Sequence, residues 1–217
     1  LWVALGSILL LTGLRMEWGK APQTIIWREL FPEGLGIMST AFYLLVTESE
    51  PAILFSLLAQ YIMVAFYKTS PSTENRLLAA RLILGAMVCF ILYLSRWGAN
   101  WIRLSRSSIQ SGRRESWWLL RVVLGAGGGL MTFFLASRYA ILSPILEERL
   151  LFFWVILIGL LGSLAPGPVL QRAAGVLTFL NGVELAGLSP RPLVWFAHLM
   201  VAMSASFLSA CERASRK

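Results

Sequence analysis

At 217 residues, 57% hydrophobic and only 14% charged with a formal net charge of +8, the chain falls well short of the roughly 25% charged residues of a soluble domain. Its mean hydropathy of +0.71 and its apolar blocks, of about the length a helix needs to cross a bilayer, exclude an ordinary water-soluble enzyme and a disordered tail. The excess of Lys and Arg belongs with cytoplasmic loops and lipid headgroups rather than with nucleic acid.

The predicted fold is all-α, a polytopic transmembrane helical bundle of about six to eight hydrophobic helices in one membrane domain. Apolar runs fall at about 1–14, 35–46, 51–67, 77–95, 118–136, 150–165, 171–188 and 192–210, and six or seven are expected to cross fully. The first run opens on Leu1, with no charged stretch and no small-residue cleavage site in Leu1–Leu11, and reads as a truncated first helix rather than a signal peptide. The stretch Leu35–Tyr67 is interrupted by Thr47-Glu48-Ser49-Glu50-Pro51. As one helix it would be roughly 50 Å long, so two helices meeting at a polar turn are expected.

Two connecting segments read as short interfacial helices. In Trp97–Ile109, Trp97, Trp101 and Leu104 share a face that Arg103 and Arg106 avoid; in Gln23–Phe31, Ile26, Trp27, Leu30 and Phe31 form the apolar side. The loop between Trp97 and Trp117 holds Arg103, Arg106, Arg113 and Arg114 against Glu115, which by the positive-inside rule makes it cytoplasmic. Alternation then puts Lys68–Arg76 and Ser137–Arg149 outside, and Pro166–Arg172 and the basic tail Glu212–Lys217 inside. Trp residues at run ends fit an interfacial belt.

Gly125 and Gly129 have the spacing that lets helix backbones approach closely, and Ala202, Ser206 and Ala210 form a small-residue stripe on the last helix. Both read as intramolecular helix packing, with a subunit contact as the alternative.

Chemistry is sparse. All eleven acids are Glu, which excludes Asp-based phosphotransfer and aspartyl protease mechanisms. The lone histidine, His198, excludes a bis-His haem or a His-rich zinc site within the chain. Cys89 and Cys211 read as free thiols. No nucleotide-binding, zinc-protease or nucleophile-elbow motif occurs, and one His with scattered Glu makes no acid–base pair, so no catalytic activity of its own is expected.

Ionisable groups at membrane depth are costly and therefore candidates for function. Glu48 and Glu50 lie in the interruption, as ion-path groups or a solvated turn. Glu184, with Asn181 nearly one turn before it, reads as an interfacial carboxylate or as a buried proton-relay or ion-pair group. His198 reads as a neutral imidazole bonded to a neighbouring helix, a proton carrier, or an axial ligand to haem or chlorophyll. Gln60 is polar but neutral.

The segments Phe153–Gly162 and Val169–Gly182, the latter ending in Asn181-Gly182, resemble component E of the formate-hydrogenlyase-type hydrogenases and, more distantly, the small K subunit of respiratory complex I. In those proteins an apolar helix ends in a short basic loop and the next carries a glycine, an acid and an Asn-Gly pair. The resemblance implies a small, non-catalytic membrane-arm subunit of an energy-transducing complex, a scaffold or part of a proton or ion path, with other membrane subunits and lipids as partners. Leu180 stands where component E places an intramembrane Glu, and Met63 where it has a buried Lys, so the resemblance implies relay chemistry either lost or moved to Glu184. A stand-alone transporter or channel, or a haem- or chlorophyll-binding subunit using His198, is the alternative expectation.

Overall fold

A computed structural model describes residues 27–68, 75–103, 115–139, 146–165, 167–188 and 191–214. Among them are seven helices and no strands: α1 (Trp27–Val46), α2 (Glu50–Lys68), α3 (Asn75–Arg103), α4 (Glu115–Arg138), α5 (Leu146–Leu164), α6 (Val169–Leu185) and α7 (Arg191–Ala214). They follow the apolar runs from residue 35 onward; the run at 1–14 lies outside the described residues.

The stretch 35–67 is two helices. α1 ends as the Thr47 N–H bonds the Tyr43 carbonyl at 2.8 Å, and α2 begins as the Ile53 N–H bonds the Ser49 carbonyl at 3.0 Å. Pro51 then sits in the first turn of α2, where its missing N–H is not needed, and Glu50 faces the positive end of the helix dipole. Trp97–Arg103 is helical but continues α3 without a break, and α1 runs from Trp27 through Pro32 to Val46 as one helix. The rest of both expected connectors lies outside the described residues.

Among the described residues, four helices are long and apolar enough to cross a membrane, at Glu50–Tyr67, Leu78–Ser95, Leu119–Arg138 and Pro192–Cys211. The distribution of polarity is the reverse of a soluble protein's. Phe55, Leu130 and Phe207 are 75%, 77% and 69% exposed, while Gln60, Asn181 and His198 are at 0%. Hydrocarbon accounts for such a surface; water does not.

α6 is the central helix, packed against α5, α7, α2 and α1. Its tightest neighbour is α5. A Cβ at Gly175 would overlap the Gly162 and Ser163 backbone, one at Gly159 the backbone of Phe179, and one at Gly182 the backbone of Ile156. Glycine is therefore required for the two chains to approach this closely. Gly125 and Gly129 on α4 do a different job: they receive the rings of Phe42 and Trp154 rather than another backbone. Ala202 is fully buried, and the Ser206 hydroxyl donates to the Ala202 carbonyl at 2.8 Å and to Ile91 of α3 at 3.4 Å.

Apolar packing falls into two clusters on either side of α6. One gathers Ile53, Leu57, Val88, Leu92 and Leu177 between α2, α3, α6 and α7. The other gathers Ile37, Leu45, Phe152, Val155 and Ile158 between α1 and α5. The polar side chains of the site lie along the first.

Candidate functional site

α6 stops just beyond Glu184. Gly187 adopts φ 67°, a left-handed conformation natural to glycine. The Leu188 N–H then reaches back to the Val183 carbonyl at 3.2 Å and the Gly187 N–H to the Glu184 carbonyl at 3.1 Å, the paired closure of a Schellman end. Glu184 is thus held in the last turn of α6, at the negative end of the helix dipole, where a carboxylate is disfavoured.

Arg81 of α3 offsets that penalty. Its guanidinium forms a buried ion pair with the Glu184 carboxylate, with Nε donating to Oε1 at 3.0 Å and Nη1 donating to the Val64 carbonyl at 3.0 Å. The Trp195 indole N–H of α7 donates to the same carboxylate oxygen at 3.0 Å. Of the two sequence readings of Glu184, the geometry selects the buried one: it is 6% exposed, and Arg81 8%.

One turn deeper, Asn181 faces His198. The ring's Nε2 lies 3.2 Å from Asn181 Oδ1, and Nδ1 lies 2.7 Å from the Val194 carbonyl. Both ring nitrogens thus lie within hydrogen-bond distance of polar neighbours. Tyr61 of α2 packs edge-on against the ring, centroids 5.5 Å apart. A further turn in, Thr178 donates to Gln60 Oε1 at 3.1 Å. Residues 178, 181 and 184 follow one i, i+3, i+6 ridge, so a single helix lays out three polar layers.

There the line stops. Between Thr178 and Gln171, over about 10 Å of helix, α6 offers only Ala, Gly, Val, Leu and the exposed Arg172. Gln171 serves as structure: its amide N–H groups bond the Leu45 and Thr47 carbonyls at 3.3 and 3.1 Å, capping the end of α1. Beside it, Arg121 of α4 donates to Glu48 at 3.3 Å. Glu48 and Glu50 are therefore at the opposite end of α6 from Glu184, and the candidate residues divide into two groups. Glu184, Asn181 and His198 converge; Glu48 and Glu50 do not join them.

Sequence reasoning passed over Arg81, Arg121, Trp195, Tyr61 and Thr178. The i, i+3, i+6 repeat of polar residues in an apolar helix was the signal available for Thr178, and a cation five residues into an apolar run was the signal for Arg81. Among the described residues no group of three or more His, Cys, Asp or Glu is arranged to hold a metal ion.

Fold and site together define a polytopic helical membrane protein with a half-length polar line in its core. No protein-family model matches the chain, and neither curated proteins nor solved structures provide a match.

Proposed function

We propose that the chain is a non-catalytic integral membrane subunit that contributes a proton half-path to a larger energy-transducing assembly. The observation that carries this reading is the polar line itself. Three stacked layers, Arg81–Glu184–Trp195, His198–Asn181 and Gln60–Thr178, enter the bundle from one end and stop near its middle. Polar and charged groups in hydrocarbon cost several kcal/mol when imperfectly satisfied, so three such layers in succession along one helix support a functional line. A channel acting alone needs a line that runs end to end. A half-path suits a subunit that holds or relays protons for neighbouring chains, in keeping with the resemblance to hydrogenase and respiratory membrane-arm subunits.

Charge sets the orientation in this reading. The end with Arg121 and Glu48, with the basic loop after α3 and the C-terminal tail, faces the cytoplasm. The Arg81–Glu184 end faces the opposite side, so the half-path opens away from the cytoplasm.

A stand-alone transporter is the second reading, favoured by the Arg121–Glu48 pair, which places a second polar group at the far end of the same helix. One pair of measurements separates the two. Extraction in mild detergent followed by native mass spectrometry is expected to show sister membrane chains, and the isolated chain in proteoliposomes is expected to leave an imposed pH gradient intact. Gradient collapse by the chain alone, lost in Glu184→Gln, would establish the transporter instead. A monomer that neither binds partners nor moves protons would refute both.

A further inference from the structure

Hydrogen-bond polarity at His198 sets a condition that the site meets in two ways. A carbonyl oxygen only accepts, so at 2.7 Å from the Val194 carbonyl, Nδ1 must carry a proton. In a neutral ring Nε2 is then a bare acceptor, and it faces Asn181 Oδ1, also an acceptor, at 3.2 Å. Two lone pairs do not bond. With the carboxamide oxygen toward the ring, Nε2 can bond it only as a donor, in an imidazolium that donates to Val194 and to Asn181. A neutral ring requires the Asn181 carboxamide turned by half a revolution, with its NH2 donating to Nε2.

Nothing in the structure pins that carboxamide. Asn181 is fully buried and its Nδ2 has no hydrogen-bond partner; the same holds for Gln60 Nε2 and the Tyr61 hydroxyl on the facing helix. A buried amide bonded at one atom only loses little by rotating, because each orientation makes one bond to the ring. Every element around the ring brings a titratable or charged group. Tyr61 packs on it from α2, with Cys89 of α3 in turn near Tyr61. Arg81 of α3 and Glu184 of α6, paired with each other, both act on it electrostatically.

We infer that His198 is the proton-holding group of the half-path and that Asn181 is its rotating partner, offering C=O to the charged ring and NH2 to the neutral one. This rests on the half-path reading and adds to it the carrier and the mechanism of accommodation. Uptake forms one N–H bond at Nε2 and breaks one O–H bond of a donating hydronium or water; release is the reverse, and no electrons change hands.

Because the chain contains one histidine, uniform 15N-histidine labelling gives a single imidazole to follow by solid-state NMR in lipid bilayers. The expected result is a neutral ring protonated at Nδ1 at high pH, converting to the doubly protonated ring as pH falls. Asn181→Asp, nearly the same shape but acceptor-only when ionised, is expected to hold the ring doubly protonated to higher pH. Asn181→Leu is expected to hold it neutral to lower pH. A neutral ring protonated at Nε2, or a wild-type ring that keeps one state from pH 4 to 9, would overturn the inference even if partner chains co-purify. Titration as expected in a protein that binds no partners would leave the inference standing and remove the subunit reading.

Discussion

Arg81 and Glu184 illustrate how a buried ion pair differs from a surface one. Screening by water is absent, each charge has lost its hydration, and the pair is held by the Val64 carbonyl and the Trp195 indole as well as by mutual attraction. Removing one member leaves the other charged and alone. Arg81→Met is expected to cost about 3–5 kcal/mol of stability, read as a drop in the detergent unfolding transition. In Arg81→Met/Glu184→Gln both charges are gone, and the amide oxygen can still accept from the Trp195 indole. The double variant is expected to regain most of the loss. If the two single substitutions simply add, with no recovery in the pair, the ion pair is not the determinant of this end of the bundle.

At the scale of elements, the α5–α6 contact decides where the polar ridge points. Gly159, Gly162, Gly175 and Gly182 let the two helices meet at their backbones, which fixes the rotation of α6 and turns residues 178, 181 and 184 toward α2, α3 and α7. Gly175→Val is expected to destabilise by about 1–3 kcal/mol or more, since the obstacle is rigid backbone and not a side chain that can swing away. Gly127→Ala is the control. A Cβ there meets nothing within 4 Å, so the change is expected to be neutral or slightly stabilising through helix propensity. Equal thermal shifts for the two variants would show that the close approach does not matter.

The helices themselves were legible in the sequence because apolar runs bounded by charges report them directly, and Pro51 after two Glu marked the break between α1 and α2. The glycine contacts were not legible in the same way. The spacing of Gly125 and Gly129 advertises close packing, yet these two accept aromatic rings. Which glycines meet backbone depends on which helices face each other, and that is a tertiary fact. Glu184, Asn181 and His198 stood out as polar residues in apolar runs. Arg81 did not, because an arginine near the end of a span ordinarily extends its long side chain to the headgroups; only the position of Glu184 on another helix turns it inward.

For the molecule as a whole, the arrangement of helix ends is a stronger constraint than the charge count from which orientation was read. Arg121 at the start of α4 touches Glu48 in the α1–α2 turn, and Gln171 at the start of α6 bonds the Thr47 carbonyl, so these ends share one side. Val64, Arg81, Glu184 and Trp195 bring together the end of α2, the start of α3, the end of α6 and the start of α7 on the other. α7 therefore returns to the first side, carrying the exposed Cys211 with it. Impermeant maleimide applied to sealed vesicles of known orientation tests this on a Cys89→Ser background. Cys211 and a cysteine introduced as Ser111→Cys are expected to react from the cytoplasmic face, and one introduced as Ser72→Cys, with Cys211 replaced by Ser, from the opposite face alone. Labelling of Ser72→Cys and Cys211 from the same side would break the alternation of spans. The Arg81–Glu184 end would then no longer face away from the cytoplasm, and the direction assigned to the half-path would go with it.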